Sequence, residues 1–378
     1  MSTFAFGLAT GTEPRTLVNT LLAQLGDPAP SANLGFVYAT DALARELPRI
    51  LQLLAQATGI AEWTGSVGMA LNCAGREIYD QPAIAVLLGE FPPDSFRVLP
   101  NQKSAITALP QSIAAWRAAH QPRFAVLHGD PSNPAIPSLI EQLSESLGDG
   151  FFVGGLTSSQ SESLQIANGA FSGGLSGVLF APEVVVAAGH TQGCSPIGPI
   201  HQVTRAERNI IATLDHRPAV EVMKEDIGEV LARDLNRLGG YIFVGLPLPH
   251  SDTGDYLVRN LLGLDVGNGL LAIGEMIATG NQIMFCRRDG NTAREDMLRM
   301  LQNLKQRCGG QTPHGGLYFS CLGRGRNQFG DNAEEMGLIT EVLGEFPLVG
   351  FFANGEIFNN RLYGYTGVLN LFLGAEKE

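Results

Sequence analysis

The chain has 378 residues, enough for two or three domains and for a large core without covalent staples. Hydrophobic residues make up 44%, charged residues only 16%, and the mean hydropathy is +0.08, which excludes a disordered chain. A net charge of −12, with lysine and arginine thinly spread, argues against nucleic acid as a partner. The 46 glycines have no three-residue period, so they read as tight turns between short strands.

In chain order, Met1 to Thr20 lacks a cationic stretch followed by an apolar core, so no signal peptide is visible. Leu34–Ala39 reads as a strand, followed by a helix whose Leu43, Leu47, Ile50, Leu51 and Leu54 recur at helical spacing until Gly59. Gly65–Cys73 and Ala83–Phe91 follow as strands. A helix over 104–119, the strand Phe124–His128, a helix from Ile136 to Leu147 and the strand Phe151–Gly155 come next. The pair Gly174–Ala181 and Val184–Gly189 closes the first half. The second half opens on a helix over 214–237. Leu270–Met276 and Gln282–Arg287 read as a hairpin across Gly280-Asn281, and a helix starts at Thr292 with Glu295 at capping-box spacing. The strand Leu317–Leu322, a helix over 332–343, the strand Leu348–Phe352 and a final pair around 362–373 complete it.

Two matches suggest duplication. Val153-Gly154-Gly155 parallels Val349-Gly350-Phe351, and Ser176-Gly177-Val178-Leu179 parallels Thr366-Gly367-Val368-Leu369. The expected fold is mixed α/β: two similarly connected lobes with hairpin-containing sheets, related by a pseudo-two-fold, over 30–205 and 206–378. No apolar segment reaches the roughly 20 residues of a membrane span. The five cysteines are far apart and never C-x-x-C, which fits reduced thiols in a cytoplasm. No P-loop, dinucleotide fingerprint, G-x-S-x-G or metal-ligand spacing occurs, so no cofactor or metal is expected.

Two segments concentrate chemistry. In 315–325, Cys321 stands two residues before the turn Gly323-Arg324-Gly325, where backbone N–H groups and the forked donors of Arg324 and Arg326 suit a carboxylate or phosphate. In 350–357, the turn Asn354-Gly355 precedes Glu356, a carboxylate able to take an ammonium group. His128-Gly129-Asp130 occupies the matching loop of the first half. One reading is a charge clamp on an exposed loop: Arg324 and the loop amides for a ligand carboxylate, Glu356 or Asp130 for its amine. A second is an enzyme with Cys321 as nucleophile and His128 or His314 as base. A third is an interaction scaffold with no enclosed pocket.

The stretches Cys321-x-Gly323-Arg324-Gly325, Val349-Gly350-Phe351-Phe352-x-Asn354-Gly355-Glu356 and Tyr365-Thr366-Gly367-Val368-Leu369 resemble the C-terminal FIST domain. Val153-Gly154-Gly155, the later Gly-rich hairpin and 65–80 resemble its N-terminal partner. The resemblance runs from about Leu34 to the end. It implies a sensory, small-ligand-binding module of signal transduction with amino acids as ligands and brings no catalytic residue set; with the charge clamp, the expected ligand is an amino acid or small organic acid, and the expected partner a downstream signalling protein.

Overall fold

The computed structural model describes residues 4–26, 31–104, 111–232, 235, 238–248 and 256–374. The chain forms two compact units, Met1–Thr191 with Asp296–Glu378, and Gln192–Glu295. The boundary expected at 205/206 falls inside the strand Cys194–Glu207, whose hydrogen bonds run on past Pro196 and Pro199 through a register shift between Ile197 and His201.

The first unit is mixed α/β, and the duplication is present at the strands that carry the matched motifs. Phe124–Gly129 pairs in parallel with Phe151–Leu156, and Leu175–Phe180 lies antiparallel to the former. Gly315–Cys321, Leu348–Ala353 and Thr366–Phe372 repeat that arrangement. The same order occurs a third time, in Leu34–Thr40, Glu62–Gly68 and Ala83–Gly89. Each copy adds an outer strand, Phe4–Thr10, Phe96–Gln102 or Val186–Gln192, giving sheets 1, 2 and 3 in chain order of copies.

Each copy also lends a small hairpin to another sheet. Leu71–Cys73 joins sheet 3 beside Leu348–Ala353, Gln165–Ala167 joins sheet 1, and Glu356–Phe358 joins sheet 2. The exchange is cyclic, so the unit has pseudo-three-fold connectivity. One glycine per copy makes the parallel pairing possible. A Cβ on Gly65, Gly154 or Gly350 would stand 1.8, 1.9 or 1.8 Å from the carbonyl oxygen of Val37, Leu127 or Tyr318.

Register then equates Tyr38, His128 and Phe319, the residues after those carbonyls. Their rings meet in the central core at centroid separations of 5.6, 6.0 and 6.0 Å. The opposite faces of the sheets pack under helices in three separate apolar clusters.

The second unit is antiparallel. Its strands run in the order Cys194–Glu207, Gln282–Arg288, Ile242–Pro247, Tyr256–Asp265, Leu270–Ile273, Ile210–Leu214, and the last also pairs with the first, closing a barrel around Val203, Val244, Leu271 and Phe285. The expected hairpin of Leu270–Met276 with Gln282–Arg287 does not form. Each strand pairs elsewhere, because 274–281 is spent on turns bonded to Asn260, Arg208 and Val203. The helix expected from Thr292 begins at Gly290, with Asp289 Oδ1 accepting from Thr292 N at 3.0 Å, so Asp289 is the capping residue. Part of the helix expected over 104–119 and the end of that over 214–237 lie outside the described residues; the former is described as Gln111–His120, and the latter starts only at Ala219, because 214–218 ends one strand, turns and pairs back as Arg217–Pro218.

Candidate functional site

The three sheets are alike in connectivity but not in what they bury. On the helix-facing side, sheets 1 and 2 carry Val37 and Leu127 where sheet 3 carries Tyr318, and Ala39 and Gly129 where it carries Ser320. The lent hairpins place Ile166 and Ile357 against the glycines of sheets 1 and 2, but Asn72 against Gly350. One copy in three is thus polar where the others are apolar. Burying polar groups costs free energy unless they are paired, so this asymmetry marks the place to look for chemistry.

At its centre is Glu335, in the first turn of the helix Glu334–Leu343 and fully buried. Its Oε1 accepts from Tyr318 Oη at 2.6 Å and Arg324 Nε at 2.8 Å, with Arg324 Nη2 also 2.8 Å away. Its Oε2 accepts from Ser320 Oγ and Gly325 N, each at 2.9 Å. Burial pulls the Arg324 guanidinium down, but Glu335 and then Tyr318 outweigh it and hold it above its ordinary value. The guanidinium also lies 5.2 Å over the Phe329 ring.

Arg324 is therefore not the exposed loop residue expected: it is 0% exposed, because the turn folds it inward onto a carboxylate from the following helix. Glu356 is buried as well, and its Oε2 accepts from Thr366 N at 3.1 Å and Thr366 Oγ1 at 2.8 Å. Burial pushes its carboxyl up to about 8, against the smaller downward pulls of Thr366, Arg324 and Cys321. Four buried side-chain atoms here have no hydrogen-bond partner: Arg324 Nη1, Glu356 Oε1, Asn72 Oδ1 and Glu77 Oε1. Arg324 and Glu356 influence each other electrostatically without forming an ion pair.

Cys321 ends the strand between them. It is the one cysteine of the five that is partly exposed as a residue, yet its thiol is pushed up by burial and by Glu356, so it stays protonated. Neither histidine expected as its base is placed for that task. His128 has Nε2 3.1 Å from Tyr38 Oη and Nδ1 3.5 Å from Thr64 Oγ1, and burial pushes it down to about 3. His314 precedes the strand that Cys321 ends, roughly 20 Å away at ~3.3 Å per residue.

The remaining expected residues are spread out. Asp130 is a turn cap: Oδ1 accepts from Ser132 N at 2.9 Å and Ser132 Oγ at 2.6 Å, Oδ2 from Gly173 N at 2.8 Å. Asn354 is exposed, its N donating to Leu156 O at 3.0 Å. Gly323 packs beside Tyr365, and Gly325, at φ +50°, packs so closely on Tyr79 and Phe352 that a Cβ would stand 2.1 Å from Tyr79 Oη. Arg326 lies outside the cluster, ion-paired to Asp80, 4.4 Å over the Tyr79 ring, its N donating to Tyr79 Oη at 3.1 Å. Tyr79 in turn donates to Glu77 at 2.6 Å, whose carboxyl burial pushes up to about 7.

Sequence reasoning thus reached Cys321, Arg324 and Glu356 but missed Glu335, Tyr318, Ser320, Asn72, Glu77 and Tyr79. For Glu335 a signal existed: it lies three and four residues before Leu338 and Ile339, in phase with the buried face of its helix. No described helix is long and apolar enough to cross a membrane.

The model of the FIST N domain matches residues 33–217, and that of the FIST C domain matches 219–359. An uncharacterized protein of Mycobacterium tuberculosis (strain ATCC 25618 / H37Rv) is 31% identical over 363 residues, 92% of each chain. An uncharacterized protein of Mycobacterium bovis (strain ATCC BAA-935 / AF2122/97) is 30% identical over 371 residues, 93% of this chain and 92% of its own. The chain belongs to the FIST family of signal-transduction sensory domains, with a FIST N domain and a FIST C domain in succession.

Proposed function

We propose that this chain is a cytoplasmic small-ligand sensor whose ligand, an amino acid or small organic acid, is held at the cluster of Arg324, Glu356 and Cys321, and whose bound state is read by a downstream signalling protein. The observation that carries the reading is the pair of buried atoms without partners, Arg324 Nη1 and Glu356 Oε1. An unpaired buried polar atom costs roughly 1–3 kcal/mol, more when charged. A ligand satisfying both atoms recovers that cost on binding. Glu335 holds the guanidinium by Nε and Nη2, which leaves Nη1 as its free donor.

Access runs through the turn Gly323–Phe329. Its outer fastening is the Arg326–Asp80 ion pair, which is exposed and therefore weak.

A thermal-shift screen of the full chain against amino acids and small organic acids tests the reading. A ligand at 100 times its Kd adds about 2.7 kcal/mol, a readable rise in Tm. In Arg324→Lys, which keeps the charge for Glu335 but loses the fork, the same compound is expected to shift Tm far less. An equal shift in both proteins, or no shift with any compound, overturns the proposal.

A further inference from the structure

We infer that the ligand is a small carboxylate anion without an ammonium group, and that Glu356 meets it as a neutral carboxylic acid donating a hydrogen bond. This rests on the proposed ligand site at Arg324 and Glu356 and narrows it.

The cluster contains one buried cation, Arg324, and its partner is Glu335, at 2.8 Å through both Nε and Nη2. Glu335 also takes Tyr318, Ser320 and Gly325, so that pair is complete. Glu356 is equally buried but has no cation in contact; its hydrogen bonds from Thr366 both reach Oε2, and the Cys321 thiol bonds to the same carboxyl. A buried carboxylate without a cation neutralises by taking up a proton. The other groups facing Glu356 do not change this. The Cys321 thiol stays protonated, Tyr363 lies opposite on the neighbouring strand, Gly155 on the other side has no side chain, and Arg324 is engaged by Glu335. The upward push on the Glu356 carboxyl, to about 8, agrees with the count.

The donor inventory follows. Arg324 Nη1 is a donor and neutral Glu356 places an O–H at Oε1, while the Cys321 thiol is already bonded to Glu356. Two donors suit an acceptor, such as a carboxylate. An ammonium group would find an anionic acceptor only after Glu356 lost its proton.

Calorimetry with three C3 probes on the full chain, at pH 7 in buffers of differing ionisation enthalpy, tests this: propionate, alanine and propylamine. Propionate is expected to bind at least tenfold more tightly than alanine, with a heat independent of buffer and therefore no proton released. Its affinity is expected to fall above pH 8, as Glu356 ionises. In Glu356→Gln, where an amide donor cannot ionise, that fall is expected to disappear. Tighter binding of alanine with about one proton released overturns the inference and leaves the site proposal standing. Selective binding of propylamine overturns the inference too. No binding by any of the three overturns both.

Discussion

Arg324 shows how one residue changes meaning when its partner is identified. On a glycine-flanked turn it reads as a free cation; in the fold it is sealed against Glu335. Removing one partner of such a pair leaves an uncompensated buried charge, at a cost of about 3–5 kcal/mol. Arg324→Ala and Glu335→Ala are each expected to lower stability by that order in urea denaturation; a change under about 1 kcal/mol would show that the pair is not buried in solution. His128 yields a pH dependence of definite sign. Burial holds it near 3 in the fold, against 6.5 ordinarily, so the unfolded chain binds the extra proton first. Its contribution is intact above about pH 6.5 and declines as pH falls from there toward 3. His128→Gln is expected to flatten the stability profile between pH 4 and 6.5, read from urea midpoints; an unchanged slope would contradict neutral burial. Neither His128 nor Arg324 announced its state in the sequence, since burial there depends on residues 90 and 11 positions away.

At the scale of elements, strands bounded by turn residues were legible. Leu34–Thr40, Phe124–Gly129 and Leu348–Ala353 follow from compact apolar runs, and the helix Leu47–Thr58 from its leucine spacing and the left-handed cap at Gly59. What pairs with what was not, because the lent hairpins join residues such as Asn72 and Gly350 that are remote in sequence. Close approach to backbone makes the three pairing glycines irreplaceable. Gly350→Ala is expected to abolish soluble folded protein or cost several kcal/mol, because the Tyr318 carbonyl cannot give way. Gly337→Ala, with nothing within 4 Å in a helix, is expected to add about 0.5–1 kcal/mol. Similar melting temperatures for the two variants would contradict the packing described. In the second unit, His201 joins three elements: Nδ1 lies 2.6 Å from Asp215 Oδ2 and Nε2 2.8 Å from Asp226 Oδ2. Carboxylates only accept, so both nitrogens must donate, which requires the imidazolium. Burial pulls His201 down, but Asp215 and Asp226 more than reverse that and raise it. Its contribution is thus full below about pH 6.5 and is lost as pH rises through the raised value. His201 is expected to titrate above 6.5 by NMR; a value below that would break the brace.

For the whole molecule, duplication between the halves was legible in two glycine motifs, whereas the third copy was hidden because Thr64-Gly65-Ser66 keeps only the glycine. The second unit enters the third copy between its outer strand and its first helix. The ends of that insertion adjoin, with Thr191 Oγ1 donating to Asp296 Oδ2 at 2.9 Å. Replacing Gln192–Glu295 by a short linker ending in a helix-capping residue is therefore expected to leave the first unit folded, with a cooperative thermal transition. A non-cooperative transition would mean that the three sheets do not suffice alone.

The proposed ligand site comprises Arg324 and Glu356. The most direct measurement is a crystal structure of the full chain grown with propionate. The carboxylate is expected within hydrogen-bond distance of Arg324 Nη1 and Glu356 Oε1, with the Glu335–Arg324 pair intact. Propionate bound elsewhere in the molecule, with those two atoms untouched, would contradict it.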